Sequence, residues 1–268
     1  MLRIRCELAV CLVVLGVSAW GQSGAPAAAA VKVPTYEIVS IKQNKSGSGD
    51  GSWNRLPDGV RATNVPLQFL LYSAYDIIID SQVAGLPDWA DSDLYDIDAK
   101  VDAETAEAWG KLSEKDRWEQ QKLMLQSLLA DRCRLKAHRE MREEPVYDLV
   151  IAKGGLKMKE AAADERNGET SWGGRIGKLN AQATSVEGIV NMLSGRVGRM
   201  IVDKTGLGEK KFDFELKWTP DDRRNPDNAD AGPSIFTALE EQLGLKLVPA
   251  KGPVETLVID HMERPSAN

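Results

Sequence analysis

The amino-acid sequence predicts an α+β protein of two tandem related modules, each a small, mostly antiparallel sheet covered by two helices. Three observations predict it. Four sequence blocks recur in the same order in the two halves of the chain. Each half carries runs that alternate apolar and polar residues, the period of a strand with one buried face. Each half also carries leucines and isoleucines at helical spacing.

The clearest repeat is PVYDLVIA at 145–152 against PVETLVID at 253–260, an offset of 108. Upstream of these lie LMLQSLLADRCRLKAHRE and SIFTALEEQLGLKLVPAK, with Leu125, Leu128 and Leu129 in one and Ile235, Leu239 and Leu243 in the other. Each reads as a helix running into a short strand, RLKAH or GLKLV. A loop then leads to a β-branched strand, closing a hairpin. Pro145 and Pro253 suit the starts of those second strands, where no ladder donor is needed. Leu135 against Leu245 gives an offset of 110, so the second hairpin loop is two residues shorter.

Further back, ATNV at 62–65 matches ATSV at 183–186, and Gly85-Leu86 matches Gly206-Leu207, both at an offset of 121. YDIDAK at 95–100 matches FDFELK at 212–217 at an offset of 117. Ordered matches with small indels point to an internal duplication. Thr63 and Asn64, and Thr184 and Ser185, precede helical runs (Leu67, Leu70, Leu71, Ala74; then Ile189, Val190, Leu193) and are expected as N-caps. Gly85 and Gly206 are expected at turns. Tyr95, Ile97 and Ala99 share one face of the first alternating strand; Phe212, Phe214 and Leu216 share one face of the second.

The ends and joints follow from composition. MLRIRCELAVCLVVLGVSAWGQ has Arg3 and Arg5 ahead of a short apolar run and small residues at Ala19 and Gly21. That is the pattern of a secretory signal peptide over 1–21, cut after Gly21. The run falls short of the roughly 20 residues that span a bilayer, and Val10 before Cys11 is too large for a lipoprotein site. Residues 22–35 read as a flexible leader, 36–160 as the first repeat, 161–174 as a linker, 175–264 as the second repeat and 265–268 as a tail. NKSGSGDGSWN at 44–54 and TPDDRRNPDNADAG at 219–232 have loop composition. The expected location is the periplasm or the exterior, with no transmembrane segment after cleavage.

Charge and cysteine count exclude several classes. Export removes Arg3, Arg5 and Glu7, a net +1, so the formal charge moves from -6 to -7. No basic cluster marks a nucleic-acid partner. Cys133 alone remains after Cys6 and Cys11 leave, so no internal disulfide is expected despite an oxidising destination. In LLADRCRLKAH it reads as a small buried hydrophobe.

The segment Lys204-Thr205-Gly206 copies one box of serine β-lactamases and penicillin-binding proteins. No Ser in the chain has Lys three residues on, so the nucleophile box is missing and Gly206 reads as a turn. Two histidines, His138 and His261, lack metal-ligand spacing. Asp88, Asp91, Asp93, Asp96 and Asp98 lack the Gly and terminal Glu of a calcium loop. No catalytic residue, metal or cofactor is therefore predicted. The binding candidates are tryptophans: Trp53 and Trp172 in expected loops, and Trp89. Trp118 and Trp218, in patterned elements, are expected to be buried.

The phrases YEIVSIKQNKSG, ATNVPLQFLLYSAY, GLPDWADSDLYDIDAK, LLADRCRLKAHRE, PVYDLVIAKGG, IVDKTGL, PSIFTALEEQLGLKL and VIDHMERPSAN resemble those of a family of exported proteins of unknown function expanded in soil acidobacteria. The resemblance spans residues 36–268 and implies export without an established activity. Each half also resembles the short N-terminal domain of secretins and TonB-dependent receptors, through ALEEQLGLKL with TLVID and SLLADRCRLKA with DLVIA. That likeness implies protein–protein contact or signal reception. The expected function is a non-enzymatic binding or sensing protein of the cell envelope, with a protein partner or small ligand. The alternative is a carboxylate-dependent hydrolase of carbohydrate or cell-wall material.

Overall fold

A computed structural model describes residues 35–162, 171–173, 177–220 and 232–266, with the backbone alone for 171–173. The expected signal peptide and nearly all of the leader lie outside the described residues, as do most of the linker and of the 219–232 loop.

In chain order the elements are β1 (Ile38–Gln43), β2 (Ser52–Leu56), β3 (Gly59–Pro66), α1 (Leu67–Tyr75), β4 (Val83–Ala84), α2 (Trp89–Ser92), β5 (Leu94–Lys100), α3 (Ala103–Trp109), α4 (Glu114–Cys133) and β6 (Lys136–Ile151). They continue with β7 (Lys159–Glu160), β8 (Ser171–Gly173), β9 (Lys178–Ser185), α5 (Val186–Val197), β10 (Ile201–Asp203), β11 (Lys211–Lys217), α6 (Ile235–Ala238), a π-helical turn at Leu239–Leu243, and β12 (Leu245–His261). The fold is α+β, with six α-helices and three four-stranded, mostly antiparallel sheets among the described residues.

The two outer sheets have the strand orders β1-β5-β3-β2 and β7-β11-β9-β8. In each, a hairpin (β2–β3 or β8–β9) is joined to a strand that follows the intervening helix (β5 or β11). The alternation read from sequence sets the buried faces: Tyr95, Ile97 and Ala99 on β5, and Phe212 and Leu216 on β11, point inward. Leu67, Leu70, Leu71 and Ala74 are the buried stripe of α1; Leu125, Leu128 and Leu129 are part of that of α4. Each fully buried side chain of this size contributes roughly 1.5–3 kcal/mol.

Both outer sheets carry a bulge at corresponding places. Register shifts between Ala62 and Val65, where Asn64 has φ 56° and donates its backbone N–H to Asp96 Oδ1 at 2.9 Å. On β9, Ala183 has φ 45° and donates to Asp213 Oδ1 at 2.8 Å beside the shift on β11. A carboxylate thus satisfies the donor that each bulge removes from the ladder. This pairs Asn64 with Ala183, an offset of 119 rather than the 121 of the ATNV/ATSV match.

The N-cap expectation holds for one half only. Ser185 Oγ accepts from Gly188 N–H at the start of α5, and Thr184 is buried beside it. Thr63 and Asn64 do not cap α1; its N-cap is Pro66, with no side-chain bond. The Asn64 amide is spent in the bulge instead, donating to the Ser48 and Asp50 carbonyls at 2.8 and 3.0 Å. Gly85 (φ 77°) and Gly206 (φ 70°) do occupy left-handed turns.

The central sheet overturns the hairpin expectation. Neither RLKAH…PVYDLVIA nor GLKLV…PVETLVID folds back on itself. Each straightens into one long strand, β6 of 16 residues and β12 of 17. The two pair antiparallel from Leu245↔Ile151 to Ile259↔Ala137 without a break. Parallel strands flank this ribbon, in the order β10-β6-β12-β4. Pro145 and Pro253 are therefore mid-strand, opposite Lys251 and Glu143. Tyr147 donates its N–H outward to Met200 O at 2.9 Å, so odd-numbered β6 residues point their backbone groups away from β12. Pro145 shares that parity and stands just beyond the reach of β10. The missing donor thus costs no ladder bond.

The ribbon joins two hydrophobic cores. The first is built by residues 36–135 and takes in Leu257 and Ile259 from β12. The second is built by residues 179–247 and takes in Leu149 from β6, with Met158 beyond it.

Candidate ligand-binding site

Of the tryptophans singled out from sequence, Trp53 and Trp89 each pack on a different partner within the chain. Trp53 lies on strand β2, not in a loop, and packs edge-on to Phe69 with centroids 5.3 Å apart. Trp89 opens α2, and the Arg264 guanidinium lies 5.3 Å over its ring while Arg264 Nε donates to Asp93 at 2.9 Å. That contact ties the C-terminal segment down and covers Trp89. The backbone of Trp172 is on β8, paired with Ala181; its side chain lies outside the described residues. Trp118 and Trp218 are half-buried against the first and second cores. Trp109 is the fully buried one, its Nε1–H held by Gln120 Oε1 at 2.7 Å.

The acidic run is also spent on structure. Asp93 holds Arg264, Asp96 accepts from Asn64 N–H and from Asn44 Nδ2 (2.8 Å), and Asp98 pairs with Arg61 at 2.8 Å. No group of three or more metal-ligating side chains occurs among the described residues. In the Lys204-Thr205-Gly206 segment, Asp203 Oδ1 accepts from Thr205 N–H at 2.8 Å and Thr205 Oγ1 from Leu207 N–H at 3.2 Å. Those bonds build a turn. Cys133 is fully buried, and burial pushes its thiol up to about 12, far from a nucleophile's range.

Three concavities among the described residues have room for a small molecule or for solvent. One, of about 280 Å³, lies between the β2–β3 turn and the first two turns of α4. Just past the turn, Gly59 lets β3 pass so close to β5 that a Cβ there would sit 2.0 Å from Ala99 O. Gln121, buried on α4, holds the turn by donating Nε2–H to the carbonyls of Leu56 and Gly59 at 3.4 and 3.3 Å. Arg55, near the end of β2, places its guanidinium 4.9 Å over the Trp118 ring. Arg117 and Glu114 complete the lining from α4. Neither Arg55 nor Arg117 makes an ion pair among the described residues. Two guanidiniums and one carboxylate leave the cavity with a charge of about +1.

A second cavity, of about 470 Å³, lies where β6 ends and β12 begins, with Phe236 and Leu247 among its apolar lining. Its cations are already engaged: Lys157 donates to Glu241 O at 2.7 Å, and Lys246 pairs with Glu240 at 3.3 Å. Phe236 meets Tyr147 edge-on at 5.5 Å. A third cavity, of about 120 Å³, has Glu37 and Asp131 in its lining with Tyr36.

Sequence reasoning missed the first cavity because NKSGSGDGSWN at 44–54 read as a loop, so that Arg55, the next residue, was not placed on a strand. A hairpin signal was present in the Pro57-Asp58-Gly59 turn.

Fold and cavity together define an α+β protein with a small, cationic, tryptophan-floored cleft. No helix among the described residues is long and apolar enough to cross a membrane. The chain belongs to the DUF3738 family, described as a protein of unknown function, whose model matches residues 68–262. No curated protein matches the chain significantly, and no solved structure does.

Proposed function

We propose that this chain is an exported, non-enzymatic binding protein of the cell envelope, built from two copies of one ancestral scaffold. The observation that carries the binding reading is the pair Arg55 and Arg117, set in a cavity beside Trp118 without a carboxylate partner among the described residues. A concavity with an aromatic wall and a few convergent polar groups is where a small-molecule ligand is expected to bind. The signal-like N-terminal sequence supports export to the periplasm or beyond. The matching strand orders of the outer sheets and their corresponding bulges support the duplication. The likeness of each half to the short domain of secretins and TonB-dependent receptors, and of the whole to an acidobacterial expansion, fits the same reading.

The hydrolase reading draws less support. It needs two carboxylates across a cleft at roughly 5–10 Å. Glu37 and Asp131 both line the third cavity, where about 120 Å³ is available.

A thermal-shift screen of the mature protein against small envelope solutes (sugars, sugar acids, amino acids, short peptides) tests the proposal. A saturable rise in midpoint with at least one class is expected, and silence across all of them overturns it. Mass spectrometry of protein recovered from a periplasmic fraction should give an N-terminus at Gln22; an intact Met1 would refute export by cleavage.

A further inference from the structure

The geometry points to a monocarboxylate as the ligand of the Arg55–Trp118 cavity, an inference that rests on the binding reading above. Three features argue for this chemistry. Arg55 and Arg117 come from different elements, strand β2 and helix α4, yet both line the same space of about 280 Å³. A planar guanidinium offers paired donors that match the two oxygens of a carboxylate. Arg55 Cζ already lies 4.9 Å from the Trp118 ring centroid, a cation–π contact that holds the side chain beside the cavity and lowers the ordering cost when an anion docks.

Charge count narrows the class further. Glu114 lines the same cavity and would repel a second negative charge, so a monoanion fits better than a phosphate dianion. Size narrows it again. The volume suits a body about the size of one sugar ring or one to two amino-acid residues, with Leu56, Pro57 and the free part of the Trp118 face available to its apolar side. Gln121 is buried at the base, with Nε2 committed to the β-turn, which leaves its Oε1 as the acceptor for a ligand hydroxyl or amide. A hexuronate and a peptide C-terminus share this chemistry.

The experiment is calorimetric titration of the mature full-length protein at low salt with glucuronate, glucose, acetyl-alanyl-alanine and inorganic phosphate. Glucuronate or the peptide should bind, whichever arm is tighter identifying the source, and glucose and phosphate should each bind about tenfold or more weakly. Arg55→Gln and Arg117→Gln should each weaken the carboxylate about tenfold, and raising the salt should weaken it in the wild type. Arg55 is exposed and its variant keeps the core intact, so circular dichroism should show an unchanged fold. Neither glucuronate nor the peptide binding better than glucose, phosphate binding tighter than both carboxylates, or both arginine variants binding normally overturns the inference. A neutral solute that stabilises the protein equally in wild type and Arg55→Gln sinks this site while leaving the broader binding reading standing. No stabilising solute at all sinks both.

Discussion

Leu149 and Leu257 are each buried in the core that the other half of the chain builds. Leu149 leaves the N-terminal half on β6 and is enclosed with Ile189, Phe212 and Leu239; Leu257 returns on β12 to lie with Leu70, Ile97 and Leu129. The β6–β12 ribbon is therefore an exchange of strands between the halves. Truncating either leucine to alanine should cost about 2–5 kcal/mol. Because each core contains a strand of the other, urea unfolding followed by tryptophan fluorescence and by circular dichroism should give one coincident transition in wild type and both variants. Two separated transitions would refute the coupling.

The helix ends make a matched pair of backbone predictions. α4 terminates on Arg134 at φ 53°, and the π-helical turn terminates on Gly244 at φ 68°. A side chain in the left-handed region costs roughly 1–2 kcal/mol, a cost glycine avoids. Arg134→Gly should raise the thermal midpoint by about 2–4 °C. Gly244→Ala should lower it far more, since a Cβ there would sit 1.9 Å from Gly155 O.

His138 links the two long strands through its Nδ1, 2.9 Å from Asp260 Oδ2. The Asp260 hydrogen bond and charge hold its pKa above the usual histidine value. A folded-state pKa raised above the unfolded one adds stability that is complete below the unfolded pKa and is lost as pH rises through the folded value. A proton NMR titration should place the His138 midpoint above 6.5, the ordinary value, and Asp260→Asn should bring it down. An unchanged midpoint in that variant would show that Asp260 is not the cause.

The buried Cys133 thiol, pushed up to about 12, should resist labelling by a disulfide reagent at pH 8 in the native protein and react at once in denaturant. Rapid native labelling would mean that the first core opens locally.

Much of this fold was legible from residue order. The stripes Leu67, Leu70, Leu71, Ala74 and Leu125, Leu128, Leu129 are the buried faces of α1 and α4, and Tyr95, Ile97 and Ala99 are that of β5. The candidate site was much less so. Arg55 and Arg117 stand 62 positions apart, and their approach depends on Gln121 pinning the β2–β3 turn. The Arg264 guanidinium over Trp89 was not legible either, because Arg264 comes from the far end of the chain.

Residue order by itself determined the α+β class, the element faces, the turn glycines and the recurrence of one pattern in both halves. These rest on local periodicity and backbone sterics, which act over a few neighbours. Tertiary structure alone decided that the expected hairpins open and pair with each other. RLKAH and GLKLV alternate equally well beside either partner; long-range burial of Leu149 and Leu257 selects between them, and no local pattern encodes that choice.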